Sequence, residues 1–324
     1  MHISGLRPRL VALLTALFVT FGLLSLSTAP AWAAAGTITE FPATGASFGI
    51  TAGPDGNLWF TATGAGQIGR ITTTGLVTLF PVPTASSSPF GITAGPDGNL
   101  WFTESSTGTI GRITTNGVVT EFPAHSGEGI TAGPDGNLWF TDPAGKIGRI
   151  TTSGTVTEFS IKTKNSFPLG ITTGPDGNLW FAENFGGKIG RITTSGKVTE
   201  FPGPVFGPRS IAVGPDGNLW FTEINSNQIG RITTSGSITQ FSLPTKCGSS
   251  AGCGPDGITA GSDGNLWFTE FNGSVIGRIT PAGLFSAFRI PTAKSRPAGI
   301  TVGPDGNVWF TEVSGGKIGR ITTS

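Results

Sequence analysis

Close copies of one nine-residue stretch, Gly-Pro-Asp-Gly-Asn-Leu-Trp-Phe-Thr, recur around Trp59, Trp101, Trp139, Trp180, Trp220, Trp267 and Trp309, which makes the chain a repeat protein. The Trp-to-Trp spacings are 42, 38, 41, 40, 47 and 42 residues. These spacings fall in the period range of propeller blades and exceed that of most solenoids.

The second copy shows what one unit contains. Gly91-Ile92-Thr93-Ala94 is a short apolar and β-branched run that predicts a strand. Pro96-Asp97-Gly98 then predicts a tight turn: proline presets φ, aspartate suits the turn and glycine accepts φ > 0. Leu100 to Glu104 predicts a second strand, Ile110 to Thr114 a third, and Val118 to Phe122 a fourth that Pro123 stops. Most of the 52 Gly and 23 Pro fall at matching turn places in successive repeats, so they mark turns, not disorder. Few strands alternate cleanly between apolar and polar residues, which fits sheets packed on both faces.

The two ends of the chain are complementary. The last copy stops at Ser324 after its third strand, while Thr37-Ile38-Thr39-Glu40-Phe41 near the other end is a spare copy of the missing fourth. Supplying that strand to the last unit closes a ring and leaves no half-built sheet edge. A parallel β-helix, the competing repeat fold, gives no reason for the offset. The expected fold is therefore all-β: a seven-bladed β-propeller of four-stranded antiparallel blades, one domain over residues 34–324, closed by an N-terminal strand completing the last blade.

Residues 1–33 read as a signal peptide: Arg7 and Arg9, an apolar run from Leu10 to Leu24, and Ala31-Trp32-Ala33 as the cleavage site. An uncleaved anchor is the alternative, but the apolar run is modest and the small-residue site favours removal. The expected location is secreted, extracellular or in the cell envelope, with no membrane span after cleavage. Without that leader the chain holds 18 Lys and Arg against 19 Asp and Glu, so neither nucleic acid nor an anionic membrane is suggested as a partner. A monomer is expected. Cys247 and Cys253 are the only cysteines, and in an oxidising compartment a disulfide is the default for them.

Residues that recur in every copy build blades, so function is sought in what does not recur. Seven Asp (such as Asp55 and Asp176) and seven Arg (such as Arg70 and Arg191) hold fixed repeat positions and are read as structural, the Asp capping turns and pairing with a neighbouring Arg. Further acids end the second strand (Glu104, Asp142, Glu183, Glu223, Glu270, Glu312) or close the fourth (Glu40, Glu121, Glu158, Glu200). Only Glu128 and Asp256 are left over. Both sit at the position that opens the first strand, held elsewhere by Phe48, Phe90, Leu169, Arg209 and Ala298. In a propeller the first strand lies innermost, so these seven should ring one mouth of the central channel. Their mixture of aromatic, aliphatic and charged groups suits a partly apolar ligand with polar anchors; the alternative is a set of tolerant loop positions.

His125, the one histidine after the leader, lies three residues before Glu128 and is either a catalytic base, a metal ligand or half of a solvated pair. Phe167, Phe206 and Arg296 occupy corresponding entry loops, and the Cys247–Cys253 loop precedes Asp256. Carboxylates ending the second strands, gathered at one mouth, would invite a divalent cation. No nucleophile elbow, phosphate loop, zinc spacing or EF-hand signature is present.

The repeat Gly-Ile-Thr-Ala-Gly-Pro-Asp-Gly-Asn-Leu-Trp-Phe-Thr-Glu, followed by Ile-Gly-Arg-Ile-Thr, resembles the virginiamycin B lyase (streptogramin lyase) family over essentially the whole chain after the leader. The resemblance implies a seven-bladed propeller and a magnesium-assisted elimination that linearises cyclic streptogramin B antibiotics. It implies a His base at the ring position, a further His in an adjacent blade, and carboxylates that include the acid ending the following second strand. Carried over by position, Glu270 and Glu312 match that carboxylate as candidate ligands of Mg2+, each fourteen residues after its ring residue. The ring residues themselves are Asp256 and Ala298, and no ring position holds His. The family also has a Glu two residues before its His, where this chain has Gly254 and Arg296. The expectation is a lyase-like propeller that binds a small molecule, glycan or peptide at its mouth without the family's chemistry. Its rivals are a carbon–oxygen lyase or another carboxylate-and-metal enzyme using Glu128, Asp256, Glu270 and His125, and an envelope interaction scaffold.

Overall fold

The computed structural model describes residues 1–2, 36–203, 205–244 and 253–323. The chain divides between Trp32 and Ala33, and the larger unit, Ala33–Ser324, is compact. Residues 3–33 of the expected leader and Cys247 lie outside the described residues; Cys253 is fully buried, and its N–H donates to Asn227 Oδ1 at 3.0 Å.

The larger unit is built from seven four-stranded antiparallel sheets. Blades 1 to 6 run in sequence through Ile50–Pro81, Pro89–Pro123, Ile130–Ser160, Pro168–Pro202, Pro208–Ser242 and Pro255–Arg289. Blade 7 takes three strands from Pro297–Ile321 and its outer strand from Ile38–Pro42, paired in register from Ile38↔Ile321 to Pro42↔Lys317. The first strand of each blade touches the first strand of the next, and blade 7 touches blade 1, so first strands line the axis and the ring closes. The only other regular element among the described residues is a single 3-10 turn at Thr63–Ala65, and no described helix is long and apolar enough to cross a membrane.

The second strand is the core of every blade, buried at all five positions. Its pleat sends Leu and Phe to one face and Trp to the other, so each strand feeds two hydrophobic layers. Trp59 and Ile68 of blade 1 pack with Ile92, Leu100 and Phe102 of blade 2, and Trp309 and Ile318 of blade 7 pack with Ile50, Leu58 and Phe60 of blade 1. Each fully buried Trp contributes about 4–6 kcal/mol of apolar burial. Its one polar atom is satisfied locally: Trp180 Nε1 donates to Asp176 Oδ1 at 2.9 Å, while Asn178 donates through its backbone and its side chain to the same carboxylate. Burial pushes the Asp176 carboxyl up, but these hydrogen bonds and Arg191 outweigh it and hold the group below its ordinary value.

The Asp–Arg pairing predicted from sequence is present within each blade, at 3.6–4.0 Å. The same Arg reaches further. Arg70 lies over Trp59 and Phe80 and donates to the Thr115 carbonyl of the next blade. Arg112, Arg149, Arg191, Arg231 and Arg320 make the equivalent interblade bond. One boundary differs from the sequence expectation: the outer strand runs through Pro123, not up to it, pairing with Thr109. Proline is tolerated there because the outer strand has no partner on its far side.

Candidate functional site

The seven ring residues come together at one end of the axis. Phe48, Phe90, Glu128, Leu169, Arg209, Asp256 and Ala298, with the Gly-Ile or Ser-Ile pairs that follow them, line a cavity of about 190 Å³. Two backbone devices fix its wall. First strands approach so closely that a Cβ on Gly91 would sit 2.1 Å from the Glu128 carbonyl oxygen, so glycine is required there, although blade 5 carries Ser210 at the same place. The second-strand threonine then ties the junction: Thr61 Oγ1 accepts from Gly49 N–H at 2.9 Å and donates to the Phe90 carbonyl at 2.9 Å. Thr103, Thr141, Thr222 and Thr269 hold the carbonyls of Glu128, Leu169, Asp256 and Ala298 in the same way. With those carbonyls occupied, the mouth is lined mainly by side chains.

The lining divides into two halves. Phe48 and Phe90 stack at 4.3 Å between centroids beside buried Ala298, forming an apolar wall. Opposite, the Arg209 guanidinium bonds through Nε to Asp256 and reaches across blade 4 to within 3.8 Å of Glu128. Burial raises the Glu128 carboxyl above its ordinary value; Arg209 opposes that and Asp256 adds to it. Burial likewise pushes Asp256 up against the pull of Arg209. For Arg209 burial acts downward, but the two carboxyls outweigh it and raise the group. Two acids thus share one cation, and Glu128 is the more accessible of them.

Entry loops form a rim around this mouth. Phe167 stacks on Phe185 at 5.0 Å, Arg296 lies over Phe271 at 5.6 Å, and Phe206 is exposed. Phe167 and Arg296 each precede a proline at φ 49° and 51°, where Gly207 and Gly254 hold the same place in blades 5 and 6. A bulky residue in that left-handed conformation costs on the order of 1–3 kcal/mol.

The other candidates from sequence lie apart from the ring. His125 Nδ1 is 3.0 Å from Glu158 Oε1 on the outer strand of blade 3, and the imidazole is largely exposed. Its loop crosses from the outer edge of blade 2 to the axis, and only its last residues reach the mouth. Glu270 and Glu312 are fully buried at the ends of their second strands, paired in register with Pro255 and Pro297. Glu312 is pushed up to about 8 by burial and by Glu40. Among the described residues these two glutamates do not gather with a third carboxylate or imidazole into a ligand cluster; His125, Asp142 and Glu158 do. Glu270 and Glu312 lie in separate blades, each closed in against the proline of its own first strand, which does not fit Mg2+, an ion that keeps several of its waters.

Sequence reasoning missed the threonine ties and the pairing of second-strand acids with outer-strand acids. The first had a readable signal, since Thr occupies that position in six copies and Ala182 in the seventh.

The family model that matches the chain is described as the virginiamycin B lyase family, over residues 30–206 and 202–324. The virginiamycin B lyase of Staphylococcus aureus is 40% identical, with 88% of this chain and 99% of that chain aligned at a TM-score of 0.82. A streptogramin B lyase is 38% identical over 89% and 98% of the two chains, also at 0.82. A catalytically inactive histidine-to-alanine variant of the Staphylococcus aureus enzyme with quinupristin aligns at 40% identity over 88% and 99%, at 0.81. No curated protein matches the chain.

Proposed function

This chain belongs to the virginiamycin B lyase family, and from that premise we propose a ligand-binding propeller whose channel mouth takes a small molecule, glycan or peptide without the family's elimination chemistry. The observation that carries the reading is Arg209 locked between Asp256 and Glu128, in a ring that holds no imidazole. An elimination needs a base with a free lone pair and a pKa near neutrality, and an electrophile to polarise the leaving group. Here the Asp256 carboxylate is spent on a guanidinium, and Glu270 is buried beneath the mouth. The Phe48–Phe90 wall facing two carboxyls and one cation suits a ligand with a flat apolar part and hydrogen-bonding or cationic groups. Phe167 and Arg296 stand where other entry loops carry Ser88, Gly207 and Gly254 in the same left-handed conformation, so large side chains are tolerated there at a cost in strain and add an aromatic and a cationic group to the rim.

The second reading is a carbon–oxygen lyase, favoured by the 40% identity to an enzyme of that activity and by the raised Glu128 carboxyl. Secretion, the leader's role and a monomeric state belong to the proposal as well. The deciding experiment incubates the protein with quinupristin and Mg2+, follows the product by mass spectrometry, and measures binding by calorimetry in parallel. Binding that Phe90→Ala weakens about tenfold, with no linear product, is the expected result. Turnover that Glu128→Gln or Glu270→Gln abolishes would replace this reading with the lyase.

A further inference from the structure

One niche recurs around the molecule and is rebuilt in a single blade. In blades 2, 4 and 7 the second-strand glutamate sits near an outer-strand glutamate: Glu104 by Glu121, Glu183 by Glu200, Glu312 by Glu40. A threonine from the entry loop caps the outer acid. Thr84 donates to Glu121 through N–H and Oγ1 at 3.1 and 2.9 Å, Thr163 to Glu200 at 2.9 and 3.1 Å, and Thr292 N–H to Glu40 at 3.0 Å.

Blade 3 departs from this plan in three linked ways. Its entry loop is the shortest, only four residues between Pro123 and Glu128, and His125 stands where the others supply threonine. The second-strand acid is aspartate, Asp142, which withdraws the carboxylate by one methylene. The niche also opens to water along the exposed imidazole. One ligand atom each from His125, Asp142 and Glu158 lies within 4.8 Å of the others. Asp142 is only 2% exposed; Oδ1 accepts the Ala144 N–H at 2.8 Å, while Oδ2 is buried with no hydrogen-bond partner. A buried carboxyl oxygen left bare is costly; Glu104, Glu183 and Glu312 bury bare oxygens as well, but among the described residues only Asp142 has an imidazole and a second carboxylate within ligand distance.

We propose that His125, Asp142 and Glu158 form a binding site for a divalent transition-metal cation of the Zn2+ or Co2+ class. One imidazole with two carboxylates is the donor set such ions accept, whereas Mg2+ and Ca2+ favour oxygen alone. A tetrahedral ion with ligands at about 2.0–2.2 Å spaces its donor atoms roughly 3.3–3.6 Å apart. The three side chains reach that spacing by a shift on the order of 1 Å, which the short loop and exposed ring permit, and water takes the fourth position. Lys146 Nζ lies 2.5 Å from Glu158 Oε2 and holds the place of a counter-cation. Its side chain is 36% exposed and has room to swing away when the metal enters. This site is separate from the channel mouth and stands or falls independently of the reading given there.

The test is calorimetric titration of the purified chain with ZnCl2, and visible absorption on titration with CoCl2. One equivalent of either ion should bind, with Co2+ giving the d–d bands of a low-coordinate nitrogen and oxygen site. His125→Ala and Asp142→Asn should each weaken Zn2+ binding at least tenfold, and Lys146→Met should tighten it. Circular dichroism and melting on each variant check the fold; His125 is exposed, so its replacement should leave both unchanged. If His125 only replaces threonine as a cap on Glu158, the wild type will bind neither ion at millimolar concentration, or His125→Ala and Asp142→Asn will bind as the wild type does. Either result overturns the proposal.

Discussion

The carboxyl group that ends a second strand meets different surroundings from blade to blade, and one atom of the facing residue decides the outcome. In blade 5 the outer-strand residue is Gln240, whose Nε2 donates to Glu223 Oε1 at 2.7 Å, while Phe206 N–H and Ser226 serve the other oxygen. In blade 7 it is Glu40, already held by Lys317 and Thr292, and both Glu312 oxygens are buried without hydrogen-bond partners. Burial and Glu40 push Glu312 up to about 8 from the ordinary 4.5; burial with Glu121 or Glu200 takes Glu104 and Glu183 to about 7. A glutamate that holds its proton when folded and releases it when unfolded contributes stability below pH 4.5. That contribution is lost as pH rises toward 8. Glu312→Gln keeps the shape and removes the ionisation, so its melting temperature relative to wild type should climb between pH 5 and 8.5. With about 1.4 kcal/mol per pKa unit as the ceiling, the gain should be several degrees. A difference between the two proteins that stays flat across this range would contradict the protonated buried acid.

At the scale of strands, the threonine tie explains how seven similar sheets hold one geometry at the axis. It is missing once: Ala182 stands in the second strand of blade 4, so neither Gly170 N–H nor the Arg209 carbonyl receives the hydroxyl that serves its counterparts. Ala182→Thr restores a group that six blades already accommodate, and should stabilise the protein by about 1 kcal/mol, or two to four degrees in melting temperature. Thermal unfolding of the variant checks this; an unchanged or lowered melting temperature would mean that blade 4 is packed too tightly for the hydroxyl. Strand order and the ring were legible in the sequence because both follow from period: copies of one unit must occupy equivalent places, and a residue at fixed distance from a repeated Trp inherits its neighbour's position. What crosses between blades was not legible in the same way. The partner of His125 is Glu158, not Glu128 three residues away, because the loop lies over the outer edge of blade 3 before turning inward. Arg209 meeting both Glu128 and Asp256 likewise depends on a side chain that links blades 3, 5 and 6 across blade 4, which no local spacing encodes.

For the molecule as a whole, closure is the weak point, because six blades are covalently continuous and the seventh is assembled from both ends of the domain. The join is made by five residue pairs between Ile38–Pro42 and Lys317–Ile321, by Phe41 stacked on Trp309 at 5.4 Å, and by Glu40 bonded to Lys317 at 3.0 Å. Arg320 adds a bond to the Thr73 carbonyl of blade 1, whereas Arg278, facing the join from blade 6, makes no interblade bond among the described residues. A chain beginning at Ala43 would bare the Lys317–Ile321 strand as an unpaired edge and uncover Trp309, an arrangement that invites association. Compared with a chain beginning at Ala34, it should melt on the order of 10 °C lower and form oligomers in size-exclusion chromatography. A synthetic peptide covering residues 36–42 should recover part of the lost stability, since the groove that receives it is otherwise preformed. A truncated protein that stays monomeric and melts with the longer chain would show that blades 1 to 6 and the remaining three strands of blade 7 hold the ring without the join.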